Sequence, residues 1–299
     1  MDGSRKVYEV TTAANMMSNQ VSKQTKLNRR RKYYSRKNVG QALVYIDIAK
    51  VLLAVCVMWL TAAGPLGTYI HHWVRRHAFN KFHLIQPVYM PTNPNRKHEI
   101  EYVMKKNAAL FKHYKRIDSQ HLSDIFKAFK PHKINIIANA DIFFDDTIKM
   151  AKSLPQKHVY ALSRHDNSNG KLFKRPDSQD TWIFHGHIQN SMLLSALYNI
   201  NLTLGKPGID NRLAYELLQA GYQVSNPSKS ITSWHVHGTN LREYSHLDVV
   251  PPPYAIVYPM TLEDVLAEGD FHATRIEIFP HGFSLEQVRR IIAYQDDDD

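Results

Sequence analysis

From Phe82 onward, short apolar runs alternate with longer stretches whose apolar residues recur at helical spacing. Leu84–Met90, Ile134–Ala138, His158–Ser163 and Thr181–Phe184 suit strands, and Tyr222–Ser225 and Ser230–Val236 add two more around an Asn226-Pro227 turn. Asn95–Leu110, His121–Phe129, Thr147–Leu154, Gln189–Tyr198 and Asn211–Ala220 suit helices, the last closed by Gly221. In the first of these, Glu99 and Glu101 come early and Lys105 and Lys106 late, an order that favours the helix dipole. Ile134–Ala138 is apolar or small except for Asn135, as expected of a strand covered on both faces. Strands alternating with helices predict an α/β domain built on a mainly parallel sheet with flanking helices. Pro251–Pro253 marks a boundary, beyond which Thr261–Ala267 and Ser284–Tyr294 suit helices around a strand-like Arg275–Phe279.

The apolar pattern before Phe82 is of another kind. Val51–Ile70 runs for twenty residues without a charge, the length of a bilayer's hydrocarbon core. Gly64, Pro65 and Gly67 are tolerated in such a helix, Asp47 and Lys50 set its start, and Tyr69 and Trp73 suit an interfacial belt. The span begins too far into the chain, and is too long, for a cleaved signal peptide. Lys26, Arg29, Arg30, Arg31, Lys32, Arg36 and Lys37, a block with no acid within it, precede the span, whereas Arg75 and Arg76 follow it. The heavier basic load in front predicts a single-pass type II protein, N-terminus in the cytosol and the rest lumenal (Golgi- or ER-like) or extracytoplasmic. The sequon Asn201-Leu202-Thr203 is compatible with that side.

Four segments follow: a basic, disordered arm (1–43), an anchor (44–74), an α/β domain (78–254) and an extension with an acidic tail (255–299). The net charge of +11 is concentrated in the arm, and no recognition motif accompanies it, so nucleic-acid binding is not expected. A single cysteine, Cys56, rules out an intrachain disulfide and zinc-finger spacing.

Candidate chemistry gathers at predicted strand ends, where ligands bind in open α/β sheets. Asn139-Ala140-Asp141 follows the strand at Ile134–Ala138, with Asp145 or Asp146 placed to cap the next helix. Asp177-Ser178-Gln179-Asp180 precedes Thr181. Asp210 follows the Gly205–Gly208 turn, where it can cap a helix or take a proton from a hydroxyl in reach. His235-Val236-His237 sits on a strand, so both imidazoles project to one face and can share a metal.

The ordered set NADIFFD, ALSRHD, DSQDTWIF, GKPGIDNR and NPSKSITSWHVHGTNLREY, preceded by QPVYMPTNPNRKHEIEYVMKKN, resembles glycosyltransferase-like proteins of the nucleotide-diphospho-sugar transferase (GT-A) type, over about Phe82 to Tyr254. The resemblance implies a GT-A-like fold with a mixed, mainly parallel sheet flanked by helices, a nucleotide-sugar donor, a glycan or other hydroxyl acceptor, and Mn²⁺ or Mg²⁺. It places the family's Asp-x-Asp metal motif on Asn139-Ala140-Asp141, with asparagine where the family has its first carboxylate. Asp141 would then bind the cation, His235 or His237 would complete the coordination, and Asn139, Arg164 and Arg242 would contact the donor. An inverting enzyme would need a carboxylate base, for which Asp210 comes first and Asp180 second; a retaining one would not. Trp182 offers a sugar platform or a core residue. Two other classes fit the same residues: a non-catalytic, membrane-tethered carbohydrate-binding or scaffold protein, favoured by Asn139, and a metal-dependent hydrolase using Asp141, His235 and His237.

Overall fold

The computed structural model describes residues 79–87, 89–188, 193–196, 200, 202–238, 248–267 and 276–296. The basic arm, the apolar span Val51–Ile70, Asn201 of the sequon and Arg242 lie outside them. Among the described residues no helix is long and apolar enough to cross a membrane. All of them belong to one compact unit, Trp73–Asp299.

Among the described residues, six strands make the central sheet: β1 (Phe82–Pro87), β2 (Tyr114–Ile117), β3 (Ile134–Ala138), β5 (His158–Leu162), β7 (Thr181–His185) and β8 (Gln223–Ser225). Their order is β2–β1–β3–β7–β5–β8, and β7 alone runs against the other five. The mainly parallel sheet expected from the alternation is therefore present, and β7 makes it mixed. Side chains alternate across it as strand geometry requires. Ile137, Val159, Ala161, Trp182 and Phe184 enter one core, whereas Ile136, Ala138, Tyr160, Leu162 and Ile183 enter another.

Helices cover both faces. α2 (Leu122–Lys127) and α3 (Ile209–Gln219) supply Leu122, Ile125, Phe126, Leu213 and Leu217 to the first core. The end of α1 (Pro94–Leu110) and a 3-10 helix (Asp146–Ser153) supply Leu110, Ile148 and Ala151 to the second. Thr147–Leu154, expected as an α-helix, is thus a 3-10 helix, and Asp145 caps it by accepting from Thr147 N at 2.9 Å.

A smaller sheet lies over the carboxyl ends of the strands. β4 (Ile142–Phe144) pairs antiparallel with β9 (Ser233–His235), which pairs parallel with β6 (His165–Asp166). β10 (Tyr254–Val257) and β11 (Ile276–Phe279) form an antiparallel pair flanked by α4 (Leu262–Ala267) and α5 (Leu285–Asp296). The boundary read at Pro251–Pro253 does not isolate this last segment, because Ala255 and Val257 belong to the first core.

Asn135, the polar exception in β3, is fully buried and works as a hub. Its Oδ1 accepts from Lys130 N (2.9 Å) and faces His83 Nδ1 (3.1 Å), while Nδ2 donates to Lys130 O (3.0 Å) and Gly186 O (2.9 Å). Burial holds His83 down at about 4, so the imidazole is neutral there at physiological pH. Asn135→Val removes the partners of Lys130 N, Lys130 O and the buried Gly186 O at once. It is expected to lower unfolding free energy by about 2–4 kcal/mol in urea titration; a change below about 0.5 kcal/mol would mean the hub is idle.

Candidate functional site

The antiparallel direction of β7 creates the site. β6 and the loop after it keep the chain at the carboxyl end of β5, so β7 starts there and sets Asp180 between the tips of β3 and β5. Asn139 N donates to Asp180 O and Asp180 N to Leu162 O, each at 3.0 Å. Asn139 Nδ2 donates to Asp180 Oδ1 (2.7 Å), and Arg164 Nη1, two residues past β5, to Asp180 Oδ2 (2.9 Å). The Arg164 guanidinium lies over the Phe173 ring, its Cζ 4.0 Å from the centroid. Both oxygens of Asp180 are therefore engaged.

Asp210 lies in the first turn of α3 rather than at its cap. The cap is Gly208, whose φ of 80° an L side chain rarely adopts, and a Cβ there would meet Tyr254 Oη and Val250 O at 3.1 Å. Asp210 Oδ2 accepts from Gln179 N at 3.3 Å. Burial and the neighbouring Asp180 charge push its carboxyl well above the ordinary carboxylate range, against the opposing pull of Gln179 N and Arg164.

Asp141 sits in the tight turn joining β3 to β4, where Ile142 N donates to Asn139 O at 3.1 Å. Two buried amides secure this turn. Gln86 Nε2 donates to Asn139 O and Ile142 O, both at 2.8 Å, and Asn107 Nδ2 to Ile142 O at 2.9 Å. β4–β9 pairing sets Ile142 opposite His235, and Val236 N donates to Asp141 O at 3.0 Å. As a result His235 Nε2 lies 3.2 Å from Asp141 Oδ2, and the rings of His235 and His237 stack with centroids 5.2 Å apart.

Three potential ligand atoms, one each from Asp141, His235 and His237, fall within 4.8 Å of one another. Ligand atoms about 3 Å apart form an octahedron edge for metal–ligand bonds near 2.1 Å, a spacing that His235 Nε2 and Asp141 Oδ2 approach at 3.2 Å, so these residues could hold a divalent ion with His237 as the third donor. Two imidazoles and one carboxylate suit Mn²⁺ better than Mg²⁺, which prefers oxygen donors. Asp141 is only 9 % exposed; burial opposes its ionisation, but His235 and Arg96 outweigh that and hold its carboxyl well below the usual range. Burial, then the nearby Arg96 and His235 charges, lower His237.

The expected residues other than Arg242, which lies outside the described residues, thus gather at one end of the sheet in two adjoining groups: Asp141, His235 and His237, and Asn139, Arg164, Asp180 and Asp210. Arg164 lies in the field of Asp180, Asp141 and Asp210 alike. Trp182 is 1 % exposed and belongs to the core, which removes it as a sugar platform. The residue that the sequence reading overlooked is Arg96, in the first turn of α1. Its Nη2 donates to Asp141 Oδ2 at 2.6 Å and its Nη1 to Glu99 Oε2 (2.8 Å) and Val236 O (3.1 Å). Gln86 and Asn107 also escaped notice, since each reads as an ordinary polar position until the turn they hold is seen. No family model matches the chain and no curated protein matches it, so its function has to be argued from the site itself.

Proposed function

We propose that the chain is a membrane-anchored glycosyltransferase of GT-A-like fold that moves a sugar from a nucleotide-sugar donor to a hydroxyl acceptor. The observation that carries this is the meeting of Asp141, His235 and His237 beside Arg164, Asp180 and Asp210 at the carboxyl ends of the strands. Asp141, His235 and His237 would hold the divalent ion, whose charge would neutralise the departing diphosphate as a Lewis acid. The planar fork of Arg164, oriented by Asp180 and Phe173, suits a phosphate or ribose oxygen nearby. Asn139 does not act as a second carboxylate; it orients Asp180 instead.

Asp210 takes the acceptor's proton. A base is most effective when its pKa approaches the working pH, and burial with a like-charged neighbour moves a carboxyl in that direction. Asp180 is the poorer base because both its oxygens are already engaged. Direct proton transfer to Asp210 implies inversion at the anomeric carbon.

The purified chain, kept in detergent with its apolar span, is to be screened against nucleotide sugars for transfer and hydrolysis. Activity is expected with Mn²⁺ and about tenfold less with Mg²⁺, as the donor set dictates. A chain that binds no nucleoside diphosphate with either ion is not a transferase. Metal-dependent hydrolysis of other esters in its place would favour the hydrolase reading, for which the same two imidazoles and carboxylate would activate water.

A further inference from the structure

Arg96 stands where a metal-binding carboxylate would have no evident use for a cation. It is 6 % exposed, and its guanidinium bonds to the same Asp141 oxygen that faces His235. Helix stability does not account for it. A positive side chain in the first turn opposes the helix dipole, and Asn93 already caps α1 by accepting from Asn95 N and Arg96 N. What the guanidinium does satisfy, beyond its own helix, is the charge of Asp141 and the carbonyl of Val236.

Resting on the transferase reading, we propose that Arg96 is the resident counter-cation of Asp141, that a divalent ion must displace it, and that the displaced guanidinium then meets the donor's diphosphate. Three features support the exchange. An ion held by Asp141 and His235 would lie beside the guanidinium, and the two cations repel. Arg96 has a second acidic partner in Glu99, so leaving Asp141 does not strand it without a counter-charge. Glu99 in turn accepts from Gly238 N at 2.9 Å, next to His237, which keeps Arg96 against the ligand segment whichever partner it holds. A diphosphate brings the negative charge that makes both cations welcome together. Ion and donor therefore bind cooperatively, each raising the other's affinity by the same factor. An ion alone is held weakly.

The experiment is calorimetric titration of the full chain with Mn²⁺, alone and with uridine or guanosine diphosphate, for the parent, Arg96→Gln and Arg96→Lys. Arg96→Gln is expected to bind Mn²⁺ alone about tenfold more tightly than the parent and to gain less from the nucleotide. Arg96→Lys, which keeps the charge, should stay near the parent. Mn²⁺ affinity unchanged or weakened in Arg96→Gln overturns the exchange while leaving the transferase reading in place, provided the parent binds Mn²⁺ and nucleotide together. If the parent and both variants bind neither, the transferase reading falls, and the exchange with it. A crystal structure of the parent with Mn²⁺ decides the point without a variant. Arg96 should have left Asp141 Oδ2, and an ion seated beside an intact Arg96–Asp141 bond overturns the proposal.

Discussion

Asp141→Asn is expected to lower Mn²⁺ affinity by at least about a hundredfold and to abolish metal-dependent nucleotide binding. Changing a residue that merely orients a ligand costs about 10–100-fold, so losing the one carboxylate in the set should cost at least the upper end. An amide cannot supply the negative charge, and His235 and His237 alone offer two neutral donors. Asparagine is the better substitution because its oxygen can still accept from Arg96 Nη2, which alanine would leave with Glu99 and Val236 O. The weakened charge-assisted bond should cost about 1–3 kcal/mol of stability, enough to measure but not to unfold the domain. Manganese electron paramagnetic resonance, with thermal unfolding alongside, checks both parts. A folded Asp141→Asn chain that binds Mn²⁺ like the parent would remove Asp141 from the metal site.

Asp210→Asn should spare donor binding and reduce turnover by roughly a hundred- to ten-thousand-fold, the range of a lost general base. For the parent, kcat/KM should rise with pH along a limb lying well above the ordinary carboxylate range, because Asp210 must lose its proton to act and burial with Asp180 resists that loss. The same shift makes a stability prediction of known sign. A carboxyl whose folded pKa is raised contributes stability that is fully present below its unfolded pKa and lost as pH rises through the folded value. The parent should therefore weaken over that window, whereas Asp210→Asn, which cannot ionise, should not. At neutral and alkaline pH the variant should be the more stable, by about 0.5–2 kcal/mol, the usual gain when a strained site residue is replaced. Denaturant unfolding at pH 4 and pH 8 tests this; a variant less stable than the parent at pH 8 would mean that Asp210 is an ordinary structural carboxylate. Unchanged turnover would exclude it as the base.

Much of the site was legible in the sequence, for local reasons. Asp141 follows a strand marked by its apolar run, and the i, i+2 spacing paired His235 with His237, although β9 is shorter than expected, ends at His235 and leaves His237 just beyond it. Asp145 was legible as a cap because the rule needs only a few neighbouring residues. Other features carried no local mark. β2 is a polar, half-exposed edge strand, Tyr-Lys-Arg-Ile, and β4 and β6 are too short to show a period. Arg96 reads as one basic residue on a helix until its partner 45 positions away is known. The direction of β7 is likewise invisible in its own residues, since an apolar run reads alike for either orientation.

What the sequence determined by itself was the order of the longer apolar strands and the helices between them, the run that must be buried on both faces, and which acids and imidazoles sit at strand ends. These follow from the period of side-chain direction along a strand or helix and from the capping of loose backbone groups, all set within a few residues. Only the tertiary structure decided that β7 turns back to bring Asp180 between two strand tips, that Asp210 is forced toward its neutral form, and that Arg96 rather than open water faces Asp141. Each of those depends on charges and backbone groups brought together from distant parts of the chain, and electrostatic energy is set by distance in space, which spacing along the chain does not reveal.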